Sequence, residues 1–139
     1  MDRSITTDLL KKIAGSRAWV AVFLLYTGAI FYLALKPMDP QGAIGRFSGL
    51  DKLLHGGEFV IYFLIGFKAL ETWGGVTRGK FAALIVTSLL FAGVTEISQM
   101  AVSYRSASIA DWFADLAGIA VGCAATSLLS AFALEREKG

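Results

Sequence analysis

Residues 55–63 read HGGEFVIYF. His55 is the only histidine in the chain, Glu58 follows it one helical turn later, and beyond Glu58 the sequence is almost wholly apolar. An imidazole and a carboxylate one turn apart can serve as general base and acid. Two further pairs share this helical spacing: Glu96 with Gln99 at i, i+3, and Asp111 with Asp115 at i, i+4. Arg105 lies between these pairs, and its guanidinium offers a fork of donors to two carboxylates at once. The residue types thus suit acid–base work by His55, Glu58 and Glu96. They also suit ligand binding by Gln99, Arg105, Asp111 and Asp115. One histidine with nearby acids is an incomplete metal set. There is no nucleophile motif and no phosphate-cradling glycine loop, so neither a metal nor a cofactor is expected.

The elements that must position these side chains are apolar. Of 139 residues, 55% are hydrophobic and 17% charged, against about 25% charged in a soluble domain. The mean hydropathy of +0.62 points the same way. A bilayer-spanning helix needs roughly 20 residues, and four stretches qualify: Ala18–Leu35, about Leu53–Trp73, Phe81–Val102 and about Ile109–Phe132. KPMDPQG, WGGVTRGK and SYRSAS separate them, and both prolines, Pro37 and Pro40, fall in the first connection. The expected fold class is all-α, a polytopic membrane protein built as a bundle of four transmembrane helices. Residues 1–17 form a cytoplasmic segment, 18–132 the membrane domain and 133–139 a cytoplasmic tail. Lys11 and Lys12 in TTDLLKKIAGSR suggest an amphipathic helix on the inner leaflet, or else a solvated flank. The first stretch is too long for the apolar region of a signal peptide, and no small-residue cleavage site follows it. The single Cys123 cannot form an intramolecular disulfide.

Basic residues set the expected orientation. With the N-terminus cytoplasmic, the inner flanks carry Arg3, Lys11, Lys12, Arg17, Lys68, Arg78, Lys80, Arg136 and Lys138. The outer flanks carry Lys36, Arg46, Lys52 and Arg105. The positive-inside rule therefore favours both termini inside, with the 36–50 and 103–108 loops outside. A net charge of +2, scattered along the chain, gives no footprint for a nucleic-acid partner. The lipid bilayer is the expected partner.

In this orientation the ionisable residues converge near the outer face. At 1.5 Å per residue, Glu58 lies roughly 7–8 Å inside the end of its helix, and Glu96 and Asp115 about 9 Å inside theirs. His55, Glu58 and Tyr62 share a helix face, as do Asp111, Asp115, Gly118 and Gly122. GIAVG, residues 118–122, is a small-xxx-small pattern that admits a neighbouring helix or a second protomer. Asp115 on that face should look into the bundle, because a carboxylate facing lipid costs several kcal/mol. Acids here outnumber fixed bases, and like charges held close cannot all ionise cheaply. The cluster either retains protons or awaits a cation, an amine or a hydrogen-bonding head group. Gly56 and Gly57 would leave room beside His55 for such a group.

Each residue also has a purely structural reading. His55 can anchor a helix end, Glu58 can pair with Lys52 or Arg105, and Gln99 can bond across helices. Ser108-Ile-Ala-Asp111 is a capping box that would start the fourth helix. Trp19, Trp73 and Trp112 suit the membrane interface.

DKLLHGGEFVIYFLIGF, followed by EISQMAVSYRSASIADWFADLAGIAVG, resembles the VanZ-like family. The matching positions are Asp51, Lys52, His55, Glu58, Glu96, Gln99, Arg105, Asp111, Gly118 and Gly122, and the resemblance covers residues 18–132. Two positions depart from the family pattern: Phe59 stands where Tyr is common and Asp115 where Asn is common, which leaves any ligand role at that position open. The resemblance implies a small multi-pass protein of the bacterial cytoplasmic membrane, whose namesake is associated with resistance to the glycopeptide teicoplanin. Three function classes follow. The first is an outward polar pocket that binds a cell-envelope head group or lipid-linked molecule. The second is an enzyme acting on such a molecule. The third, ranked last because its charges avoid the midplane, is a proton-linked transporter; a plain membrane scaffold is the remaining alternative.

Overall fold

A computed structural model of the protein describes residues 3–36, 49–102 and 107–136, with side chains described for 15–36, 49–102 and 107–132. These residues form four helices: α1 (Arg3–Leu35), α2 (Leu50–Thr72), α3 (Arg78–Gln99) and α4 (Ile109–Arg136). Each contains a stretch long and apolar enough to cross a membrane, at Gly15–Leu35, Leu50–Thr72, Arg78–Gln99 and Ile109–Phe132. The expected all-helical, four-span architecture is the observed one. The residues before the first span are helical and continuous with it.

The ends shift from the sequence expectation for local reasons. α2 begins at Leu50 rather than Leu53, and α3 begins at Arg78 rather than Phe81. At the start of α3 the Thr77 side chain accepts a hydrogen bond from the Lys80 backbone N–H, satisfying one donor that the helix leaves free. The α2–α3 turn passes through Gly74 and Gly75, at φ 80° and 83°, a region other residues enter at a steric cost. Lys80 Nζ donates to the carbonyls of Trp73 and Gly75 at 3.2 and 3.0 Å, covering the C-terminal end of α2. α3 ends at Gln99 rather than Val102, as the chain tightens into turns with Met100, Ala101 and Val102 each donating three residues back.

α2 is the central helix, in contact with α1, α3 and α4, and its contact with α4 is the most extensive in the bundle. Glycines make that contact close. A Cβ built at Gly118 would collide with the backbone of Gly56, and one at Gly56 would lie 3.2 Å from the Ala114 carbonyl oxygen. A Cβ at Gly122 would stand 2.8 Å from Cβ of Phe63. The GIAVG pair therefore packs within one chain, against α2. Gly56 belongs to this packing, so it does not provide the open space expected beside His55; at Gly57 a Cβ would meet nothing within 4 Å.

Elsewhere aromatic rings fill the interior. Phe23, Phe59, Tyr62 and Phe91 form a contiguous group, with Tyr62 stacked on Phe91 at 5.2 Å between centroids. Phe63 and Phe67 meet Phe81 edge-on, a preferred ring geometry. Polar side chains among them bond back to their own helix: Ser88 to the Leu84 carbonyl, Thr95 to that of Ala92, and Thr126 to that of Gly122. Large apolar side chains such as Leu25, Leu90, Ile97 and Phe113 are exposed on the outside, where lipid would cover them.

The packing predicts unequal responses to added methyl groups. Gly118→Ala and Gly122→Leu should each lower thermal stability in detergent, by about the 1–3 kcal/mol of overpacking a close-packed interior. Gly93→Ala, which would meet nothing within 4 Å, should leave stability unchanged or slightly raised. Equal melting temperatures for the Gly118→Ala and Gly93→Ala proteins would refute the backbone contact between α2 and α4.

Candidate functional site

Three helix ends meet on one side of the bundle: the start of α2, the end of α3 and the start of α4. The antiparallel run of α2 and α3, together with the short connection from α3 to α4, brings them there. On α2, His55 stands one turn above Phe59, which is 1% exposed and closes the apolar floor of the site with Tyr62 and Phe91. On α4, Asp115 lies on the same face as Gly118 and Gly122. The close approach of the two backbones lets its short side chain reach α2.

His55 Nδ1 lies 3.1 Å from Asp115 Oδ1 and 3.9 Å from Glu96 Oε1. Which of the two paired atoms carries the proton depends on the imidazole tautomer and charge. Asp115 is fully buried, and its second oxygen, Oδ2, has no hydrogen-bond partner among the described residues. Such a group in a low-dielectric interior costs about 1–3 kcal/mol. Glu96 is also buried. Its Oε2 accepts the backbone N–H of Ser108 at 2.9 Å, and its Oε1 accepts from Gln99 Nε2 at 3.4 Å.

The start of α4 departs from the expected capping box. Ser108 Oγ accepts from the Asp111 backbone N–H at 3.3 Å, which is one half of the motif. The other half would have Asp111 reach back to the Ser108 N–H. Glu96 takes that donor instead, and the Asp111 carboxylate accepts from Lys52 Nζ at 3.1 Å. α4 is thus capped across the bundle from α3, while Lys52 ties α4 to α2 at the exposed rim.

The structure gathers His55, Glu96, Gln99, Asp111 and Asp115 into one cluster. Glu58 has a different neighbourhood on α2: its backbone carbonyl accepts from Tyr26 on α1 at 3.3 Å. Its carboxylate is not one of the two sets of converging ligand atoms that include His55. Arg105, expected to offer its fork of donors to two carboxylates, lies outside the described residues. Two participants escaped the sequence reading: Lys52 as the partner of Asp111, and the Ser108 N–H as the partner of Glu96. A backbone donor leaves no mark on a sequence, and helix-end charges pair according to helix rotation, which spacing along one helix does not fix.

Two sets of three side chains bring metal-ligating atoms within 4.8 Å of one another: Asp51, His55 and Asp111 at the rim, and His55, Glu96 and Asp115 deeper in. A separate apolar cleft of about 420 Å³, lined by Phe23, Gly66, Leu70 and Leu84 among others, lies toward the opposite ends of α2 and α3 and touches none of these groups.

Comparison with known proteins agrees with the resemblance read from the motifs. No curated protein matches the chain, and no solved structure does. The VanZ/LLP1 family matches residues 10–130, which takes in the first three spans, all but the last two residues of the fourth, and every residue of the cluster. The chain is a member of the VanZ/LLP1 family.

Proposed function

We propose that the protein is a cell-envelope factor of the bacterial cytoplasmic membrane, which recognises or modifies a head group or lipid-linked molecule at the outer ends of α2, α3 and α4. The observation that carries this reading is the buried cluster of His55, Glu96 and Asp115, contributed by three helices. Intramembrane ionisable groups are expensive and mark functional positions by default. An inert bundle would gain by replacing them with apolar side chains of similar volume. In this reading His55 is the acid–base group and Glu96 and Asp115 orient it. Gln99 and Asp111 meet the ligand, with Lys52 at the rim. Glu58 and Arg105 are further candidates on the α1 side and in the α3–α4 connection. The family namesake's association with teicoplanin makes glycopeptide susceptibility the first phenotype to measure.

Both termini would face the cytoplasm, as the basic residues of the inner flanks suggest. The interface tryptophans fit two membrane boundaries, with Trp73 next to the end of α2 and Trp112 in the first turn of α4. A cysteine introduced near Arg46 in a Cys123→Ala background should react with an impermeant maleimide added to intact cells. Labelling only after the inner face is opened would reverse the orientation.

The functional reading and the structural one separate in a bacterium made glycopeptide-sensitive by deletion of its own VanZ-like gene. Expression of this chain should raise the teicoplanin concentration needed to stop growth. Asp115→Asn should abolish that effect while the protein remains inserted and monodisperse in detergent. Glu96→Gln should also weaken the Ser108 cap, losing stability on the order of 1 kcal/mol. If the phenotype falls only as far as membrane abundance falls, for both variants, the cluster is a structural clasp and the proposed function is wrong.

A further inference from the structure

Taking the cluster as the functional centre, we infer that His55, Glu96 and Asp115 form a binding site for a divalent transition-metal ion of the zinc type. One helix supplies each ligand: Nδ1 of His55 from α2 and one carboxylate oxygen each from Glu96 on α3 and Asp115 on α4.

Ligand geometry is the first support. Zinc bonds to imidazole nitrogen and carboxylate oxygen run about 2.0–2.2 Å, so the edge of a tetrahedron built on them is about 3.3–3.5 Å. The His55–Asp115 and His55–Glu96 separations of 3.1 and 3.9 Å bracket that edge. All three ligand atoms lie within 4.8 Å of one another. Small side-chain rotations would close the set around one ion.

An independent observation points to a missing partner. Asp115 is fully buried, and its Oδ2 has no hydrogen-bond partner among the described residues. Asp115 keeps a partner at Oδ1, in His55, and the other buried polar side chains among the described residues each have one: Ser88, Thr95 and Thr126 on their own helices, Glu96 on Ser108, Gln99 on Glu96, and Asp111 on Lys52. An orphaned carboxylate oxygen inside an apolar bundle is uncommon and points to a bound partner such as an ion. A doubly charged ion balances the Glu96 and Asp115 carboxylates and leaves His55 as a neutral ligand.

The choice between the two converging sets follows from their other contacts. Asp111 of the rim set accepts from the Lys52 ammonium at 3.1 Å, and a metal there would have to displace that cation. The deeper set faces no lysine or arginine among the described residues. Nitrogen with two oxygens suits zinc or manganese, and the general affinity order favours zinc. Three protein ligands leave a fourth position for an oxygen, as in catalytic zinc sites, either water or a phosphate oxygen of an envelope head group.

Metal binding is measured on the purified full-length protein in detergent, stripped with chelator and then given Zn²⁺ or Co²⁺ alone. The expected result is one Zn²⁺ per chain by elemental analysis and calorimetry. Co²⁺ should give the visible absorption of a tetrahedral nitrogen–oxygen site, bleached by added Zn²⁺. Asp115→Asn, Glu96→Gln and His55→Gln should each weaken Zn²⁺ binding by more than the roughly 10–100-fold typical of losing a group beyond the ligands. Glu71→Gln, at the other end of α2, should bind as the wild type does. No saturable Zn²⁺ binding by the folded wild type overturns the inference without any variant being needed. Binding lost in Asp111→Asn but kept in Asp115→Asn overturns it in favour of the rim. Because these readouts need no phenotype, metal binding without any effect on teicoplanin susceptibility would keep the metal site and remove the proposed function, and the reverse result would do the opposite.

Discussion

The contact on which the rest of the structure depends is that of Gly56 with Gly118. An aspartate side chain is short, and Asp115 reaches His55 only because the backbones of α2 and α4 nearly touch one turn away. In lipid no hydrophobic effect drives two helices together; close van der Waals packing and interhelical polar contacts hold them instead. Here the two are coupled. The glycines bring the helices near enough for His55 to meet Asp115, and that polar contact in turn favours the close approach. A side chain at Gly118 would both separate the helices and strand a buried carboxylate.

Beneath this contact the interior is divided by polarity. One end holds titratable groups, and the next layer is sealed by Phe59, Tyr62 and Phe91. Deeper in the bundle the Ser88 and Thr126 hydroxyls bond back to their own helices. Electrostatic interactions above such a floor are stronger than in water, so each of the three ionisable side chains acts strongly on the other two.

Much of this was legible in the sequence. Four apolar stretches with turn signals between them fixed the element count, and the shared depth of Glu96 and Asp115 marked the end of the bundle where α3 and α4 meet, although Glu58, expected at the same depth, is not in the cluster with them. The face shared by Asp115, Gly118 and Gly122 told which way Asp115 points, because small residues and a charge both avoid lipid. What the sequence concealed depends on rotation and on backbone groups. HGGEFVIYF suggested His55 and Glu58 as a pair because they are a turn apart. In the fold His55 turns toward α3 and α4, while the backbone at Glu58 meets Tyr26 on α1. Gly56 looked like free space beside a ligand and is occupied by α4. The capping box at Ser108 was half right, since the acid that completes it comes from another helix, twelve residues earlier.

That cross-bundle cap has a consequence for how the chain is made. Helices are delivered to the bilayer in order, and α2 and α3 arrive with His55 and Glu96 before their partners on α4 exist. Until α4 is threaded, the imidazole has Glu96 nearby but lacks the closer Asp115, and the Glu96 side chain lacks the Ser108 amide. The nascent three-helix intermediate therefore exposes polar groups to lipid or to the insertion machinery. Completion of α4 relieves both at once, so the cluster assembles only when that span is in place. A chain truncated before α4 would keep those groups exposed, a mark by which membrane quality-control proteases could tell unfinished molecules from finished ones.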